Sequence, residues 1–158
     1  MVTASDGGGG PSVTAEVSVV VDDVNDNRPT MLFPSSDRGG GGSVVQLFAG
    51  RDDLTRGALV TRLDADDADD GPNAELDFAV EYGNEGGLFD VDRHTGALTV
   101  AADAGLDPSR HVYRLVVSAT DRGTPPLRTV ADLEIRVNSS SVLHSQPAGA
   151  MKTRPLDQ

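Results

Sequence analysis

Hydrophobic residues alternate with polar ones in short runs along most of the chain. Clusters of Gly, Pro, Asn and Asp interrupt these runs about every eight to twelve residues. Val13, Ala15, Val17, Val19 and Val21 follow the period of two that places every second side chain on one face of a strand. Val112 to Ala119 and Ala131 to Val137 do the same, and Val60 to Ala65 and Leu76 to Val80 supply two further strands. Leu88 to Asp92 and Ala97 to Val100 flank Arg93-His94-Thr95-Gly96, which reads as a hairpin with glycine in its turn. No window carries a helical stripe, although Ala101 to Leu106 has room for one loose turn. The pattern predicts an all-β chain folded as a Greek-key β-sandwich of about seven strands.

Comparison of the two ends exposes a repeat. Val2-Thr3-Ala4-Ser5-Asp6-Gly7 with Pro11-Ser12 matches Val117-Ser118-Ala119-Thr120-Asp121-Arg122-Gly123 with Pro126-Leu127. Val17 to Val21 then matches Leu133 to Val137, at an offset of about 115 residues. The expected organisation is the last strands of one truncated repeat over residues 1–22, a linker over 23–29, and a complete repeat over 30–138. The four-glycine run Gly39 to Gly42 reads as a loose loop ahead of the main domain's first strand, and residues 139–158 as a disordered tail.

Composition removes several functions. Thirteen Lys and Arg against 25 Asp and Glu leave a net charge of -12, the wrong sign for gripping phosphates. Without cysteine there are no disulfides, zinc-thiolate sites or thiol nucleophiles. Val19-Val20-Val21 is the longest aliphatic run, far short of a membrane span, and the Gly-rich start after Met1 is no signal peptide. The expectation is a soluble acidic piece of a larger protein. His94, His111 and His144 share no metal-binding or catalytic spacing, and Ser139 to Ser141 has no nucleophile-elbow context. Asn138-Ser139-Ser140 is a glycosylation sequon.

The remaining chemistry is acidic. Asp22-Asp23-Val24-Asn25-Asp26-Asn27-Arg28-Pro29 follows a strand, Asp64 to Asp70 holds five acids in seven residues, and Asp121 ends another strand. Oxygen donors at this density suit a hard cation, above all Ca2+. On an extended segment Asp67 and Asp69 point the same way and can chelate together. An EF-hand loop is excluded. With Gly71 sixth, Ala68 falls at the third position and Asp77 at the last, and no helices flank them. Taken alone, each acidic run is equally an ordinary turn or a solvated loop.

Four motifs in order turn the reading towards calcium. Asp23-Val24-Asn25-Asp26-Asn27-Arg28-Pro29 resembles the calcium linker between cadherin repeats. Asp67-Ala68-Asp69-Asp70-Gly71-Pro72-Asn73-Ala74 is similar to the family's Asp-x-Asp-x-Gly-x-Asn-Ala stretch. Phe89 to Asp92 with Thr95 to Leu98, and Tyr113 to Asp121 with Gly123 to Leu127, resemble its hairpin and its long strand. The Pro-Pro-Leu and Asn-Ala details are closest to protocadherin, Fat and dachsous repeats.

The resemblance implies Asp23, Asn25, Asp26 and Asn27 as linker ligands, and Asp67, Asp69, Asn73 and Asp121 as ligands from the following repeat. It implies calcium-dependent cell–cell adhesion, homophilic pairing included, and no enzymatic activity. The partners would be cadherin repeats on the same or an opposing cell, with the chain outside the plasma membrane as part of a single-pass protein. The family also draws an acidic pair and a Glu from the preceding repeat, so the cluster here is expected to be incomplete. The family's early Glu falls at Asp52, its Leu-Asp-Arg-Glu stretch reads Leu106-Asp107-Pro108-Ser109, and Asn138 to Ser141 stands where a second linker would follow. A downstream calcium site is therefore not expected. The alternatives are a calcium-independent extracellular binding sandwich and a metal-assisted hydrolase. The second lacks a histidine ligand set and a nucleophile–base pair.

Overall fold

A computed structural model describes residues 1–4, 7–10, 12–35, 42–48, 52–102, 105–107 and 109–138. The expected tail and most of the four-glycine run lie outside the described residues, as does part of the turn at Ala101 to Leu106. Eleven strands are described, with two short 3-10 turns at Asp52–Leu54 and Gly71–Ala74. In chain order they are β1 (Val2–Ala4), β2 (Val13–Ala15), β3 (Thr30–Phe33), β4 (Ser43–Phe48), β5 (Leu59–Arg62), β6 (Asp64–Asp66), β7 (Leu76–Tyr82), β8 (Phe89–Val91), β9 (Ala97–Val100), β10 (Val112–Asp121) and β11 (Arg128–Asn138).

From β3 onward these strands build an all-β sandwich. One sheet has the order β4-β11-β10-β7, with β4 running parallel to β11 and the other pairs antiparallel. Opposite it lie two further sheets, β5-β9-β8 and the pair β3-β6. Period two does its work in the long hairpin. Tyr113, Leu115, Val117 and Ala119 of β10, and Leu133, Ile135 and Val137 of β11, all turn inward and are buried. They meet Leu98 and Val100 of β9, Phe89 of β8, and Leu63 and Met31 from the opposite side. Phe89 and Tyr113 pack edge to face with ring centroids 5.5 Å apart.

One expected strand is divided. Alternation predicts a single strand over Val60 to Ala65, but β5 pairs with β9 while β6 pairs with β3, so the chain changes partners at the buried Leu63. The glycine run follows β3 rather than preceding the first strand, and separates it from β4. The predicted turn between β8 and β9 forms. Asp92 Oδ1 accepts from the amides of His94 at 3.0 Å and Thr95 at 2.7 Å. Gly96 sits at φ 68° against the Leu63 carbonyl, where a Cβ would collide.

The amino-terminal end departs furthest from expectation. Only Val13–Ala15 of the predicted strand to Val21 is extended and paired; Val17, Val19 and Val21 are exposed and belong to no sheet. The pairing that does form is informative. Val2 faces Ala15, Thr3 faces Thr14 and Ala4 faces Val13. In the long hairpin Val117 faces Ala131, Ser118 faces Val130 and Ala119 faces Thr129. Under the repeat match, the short hairpin has the register of the long one.

Candidate metal centre

Between β2 and β3 the chain crosses one end of the sandwich outside any strand, with a tight turn in which the Asp26 amide donates to the Val24 carbonyl at 2.8 Å. Asp23, Asn25 and Asn27 each reach a different part of the sandwich. Asp23 Oδ2 accepts from the Asp70 amide at 2.9 Å and from Asn73 Nδ2 at 3.0 Å. Those two donors, the backbone N–H first, hold the Asp23 carboxyl below the usual carboxylate range. Asn73 is placed for this by the 3-10 turn Gly71–Ala74, which begins with Pro72 at its second residue.

Asn25 goes to the end of β10. Its Nδ2 donates to Asp121 Oδ1 at 3.1 Å and to the Pro125 carbonyl at 2.7 Å. Asp121 is only 3% exposed. Its carboxylate also collects the amides of Gly123 at 2.9 Å and Leu127 at 3.1 Å, which closes the turn into β11. Asn27 goes to the acidic loop: its amide donates to Asp69 Oδ2 at 3.1 Å, and its Nδ2 donates to Asp69 Oδ1 and to Asp26 Oδ1. Asp69 is buried, and its own amide donates to Asp67 Oδ1 at 3.0 Å.

All eight sequence-predicted residues thus lie in hydrogen-bonded contact across the linker and the two segments it touches. On the linker Asp23, Asp26 and Asn27 are exposed and Asn25 is half-buried. Among the described residues no three His, Asp or Glu side chains converge as a ready-made ion cage. Among the described residues two buried oxygens have no hydrogen-bond partner: Asn25 Oδ1 and Asp67 Oδ2. Buried acceptors are normally satisfied, so each of these has an unmet requirement for a donor or a cation. One neutral and one anionic oxygen, with Asp69 and Asp121 close along the chain or in contact, are donors that fit Ca2+ chemistry.

Sequence reasoning missed two contributors beside Asp121. Gly123 lies so close to the Asn25 side chain that a Cβ there would overlap it. Arg122 points the other way, onto the partly buried Asp77 of β7, with Nη2 2.8 Å from Asp77 Oδ1. Arg93 Nη2 lies 2.6 Å from Asp77 Oδ2, and His94 Nδ1 lies 3.2 Å from Oδ1. The guanidinium of Arg122, then that of Arg93, drives the Asp77 carboxyl far below the ordinary carboxylate range. The Asp-x-Gly spacing was a visible signal for Gly123, whereas the Arg122–Asp77 pair spans 45 residues and has no local signature.

Of the other candidates, Asp107 Oδ1 is engaged by the Ser109 amide at 2.8 Å and hydroxyl at 2.7 Å. The Asp52 side chain lies outside the described residues. Asn138 closes β11, its side-chain Nδ2 donating to Gln46 Oε1 at 3.2 Å, and the rest of its sequon lies outside the described residues.

A model of the cadherin domain matches residues 48–138, more than half of the chain. The chain belongs to the cadherin family. The Fat-like cadherin-related tumor suppressor homolog of Drosophila melanogaster is 37% identical over 139 residues, covering 86% of this chain and 3% of the relative. Human protocadherin gamma-A8 is 40% identical over 141 residues, covering 89% of this chain and 15% of the relative. The protocadherin gammaB7 EC3-6 cis-dimer structure superposes with a TM-score of 0.61 at 34% identity, covering 74% of this chain and 27% of that one. This cadherin chain therefore spans a small fraction of the relatives it matches, which include protocadherins and a Fat-like cadherin.

Proposed function

We propose that this chain is a calcium-binding part of a cell-surface adhesion protein, with the ion held where the linker crosses the sandwich. The observation that carries the reading is the pair of partnerless buried oxygens, Asn25 Oδ1 and Asp67 Oδ2, within a network that already unites the linker, the acidic loop and Asp121. Asp23, Asn25, Asp26, Asn27, Asp67, Asp69, Asn73 and Asp121 are the residues that would hold calcium. Bound calcium supplies charge neutralisation for carboxylates that otherwise repel one another. The protein's own part is to bring the donors together: Asn25 and Asn27 dock the linker by donating hydrogen bonds to Asp121, the Pro125 carbonyl and Asp69, and Asp121 fixes the turn against which Asn25 rests.

The shared register of β1–β2 and β10–β11 supports reading residues 1–22 as the end of a preceding repeat, 23–29 as the junction and 30–138 as a whole repeat. In that reading the junction stiffens an array outside the plasma membrane, anchored as a single-pass protein. Its work is mechanical and adhesive rather than enzymatic. The partners are cadherin repeats, on the same cell or opposite. The protocadherin gammaB7 EC3-6 structure, a cis-dimer, offers a precedent for the first arrangement.

One observation favours a calcium-independent binding sandwich instead. Both oxygens of Asp69 are occupied by Asn27 donors, so the linker has a way to dock without an ion. Isothermal titration with calcium separates the two. Heat of binding that disappears in Asp67→Ala supports the calcium reading; a flat titration of the unmodified chain supports the other.

A further inference from the structure

The linker grips two separate segments: the acidic loop running into β7 and the end of β10. Their backbone ladder ends where Asp121 faces Leu76, so among the described residues no further strand pairing joins them towards the linker. Arg122 reinforces this end of the ladder: Asp77 is the partner of Thr120 within it, and Glu75 lies one residue beyond its last pair. The Arg122 guanidinium forks onto Asp77, with Nε 3.3 and 3.2 Å from the two carboxylate oxygens and Nη2 2.8 Å from Oδ1, and its Nη1 lies 2.5 Å from Glu75 Oε2. Glu75 and Asp77 directly follow the turn that presents Asn73 to Asp23. Arg93 adds a second cation to Asp77 from the β8–β9 hairpin, and Arg122 Nη2 also lies 2.7 Å from His94 Nδ1. Arg122 stands between Asp121, which accepts from Asn25, and Gly123, against which the Asn25 side chain lies.

We infer that Arg122 is a positioning residue for the linker site: by bracing the β10 end against Glu75 and Asp77, it fixes the distance between Asp121 and the acidic loop. A fork onto a carboxylate restrains direction as well as separation, which a lysine ammonium does not. The inference rests on the calcium reading above. It also has a distinctive sign. Arg122 is a positive charge near a site for a cation, so if it acted through charge alone, its removal would tighten calcium binding. If it acts by positioning, its removal weakens binding.

The test is calorimetric calcium titration of the full chain, unmodified and with Arg122→Gln or Arg122→Lys, with thermal melts of each in EDTA. Positioning predicts that Arg122→Gln raises the dissociation constant roughly tenfold, within the range usual for residues that orient metal ligands. Arg122→Lys, which keeps the charge and loses the fork, is expected to weaken binding by a smaller factor. Unchanged or tighter binding in both variants, with melts in EDTA showing them folded, overturns the inference and leaves the calcium reading intact. No calcium heat from the unmodified chain overturns both. Should Arg122→Gln fail to fold, Arg122→Lys decides by the same sign.

Discussion

Asp121 sits at the close of the longest hairpin and holds a turn, a strand end and the linker with one carboxylate. Gly123, two residues on, leaves just the space that the Asn25 side chain occupies. Gly123→Ala is therefore expected to push Asn25 away and loosen the linker. Amide exchange at Asn27, whose N–H donates to Asp69, should speed up by about tenfold, or roughly 1.4 kcal/mol. Unchanged exchange there would mean that the linker docks without Asn25. Asp77 gives a pH prediction. Its folded pKa lies below its unfolded value, so its contribution is present above the unfolded pKa of about 3.9 and is lost as pH falls through the folded value. Asp77→Asn should cost about 1 to 2 kcal/mol at neutral pH, because the carboxylate is largely buried while both arginines are partly in water. The variant's stability should then fall less steeply than that of the unmodified chain below about pH 4, as urea titrations across that range would show.

Among the elements, those with a partner close in sequence were the most legible. β8–β9 declared itself through Thr95-Gly96, and β10 and β11 through clean alternation. β4 was not read as a strand because its apolar residues do not alternate: Val44 and Phe48 look outward while Leu47 enters the core. The break at Leu63 was hidden because alternation marks a buried face without saying which sheet supplies it. The overextended β2 has the same cause. Val19 and Ile135 are equivalent under the repeat match, yet Val19 is 79% exposed and Ile135 is 0%. Its pattern advertises a core for which the described residues give no packing partner. Ile135→Ala should then cost about 2 to 5 kcal/mol, and Val19→Ala less than about 0.5. Joining a complete preceding repeat to the chain should make the two losses comparable in chemical denaturation; if Val19→Ala stays silent there, residues 1–22 are not the end of such a repeat. The residues that dock the linker were legible as residue types: Asp23 bonds Asn73, Asn25 bonds Asp121 and Asn27 bonds Asp69. The Arg122 brace was not, because an ion pair between distant strands leaves no period or spacing to read.

At the scale of the whole molecule, the chain carries a net charge of -12 and gathers acids at the linker end of its sandwich. Divalent cations would relieve that repulsion, and a stiff junction between repeats would follow. Salt alone would relieve part of it, so ionic strength has to be matched when calcium is compared with its absence. The most direct measurement is a thermal melt in calcium, in magnesium and in EDTA at matched ionic strength. One site at ~100-fold excess over its dissociation constant adds about 2.7 kcal/mol, or roughly 5 to 10 °C for a domain of this size. The expected result is a rise of that order with calcium alone, abolished by Asp67→Ala and by Asp26→Ala. Coincident melts in all three conditions would contradict a calcium site at the linker.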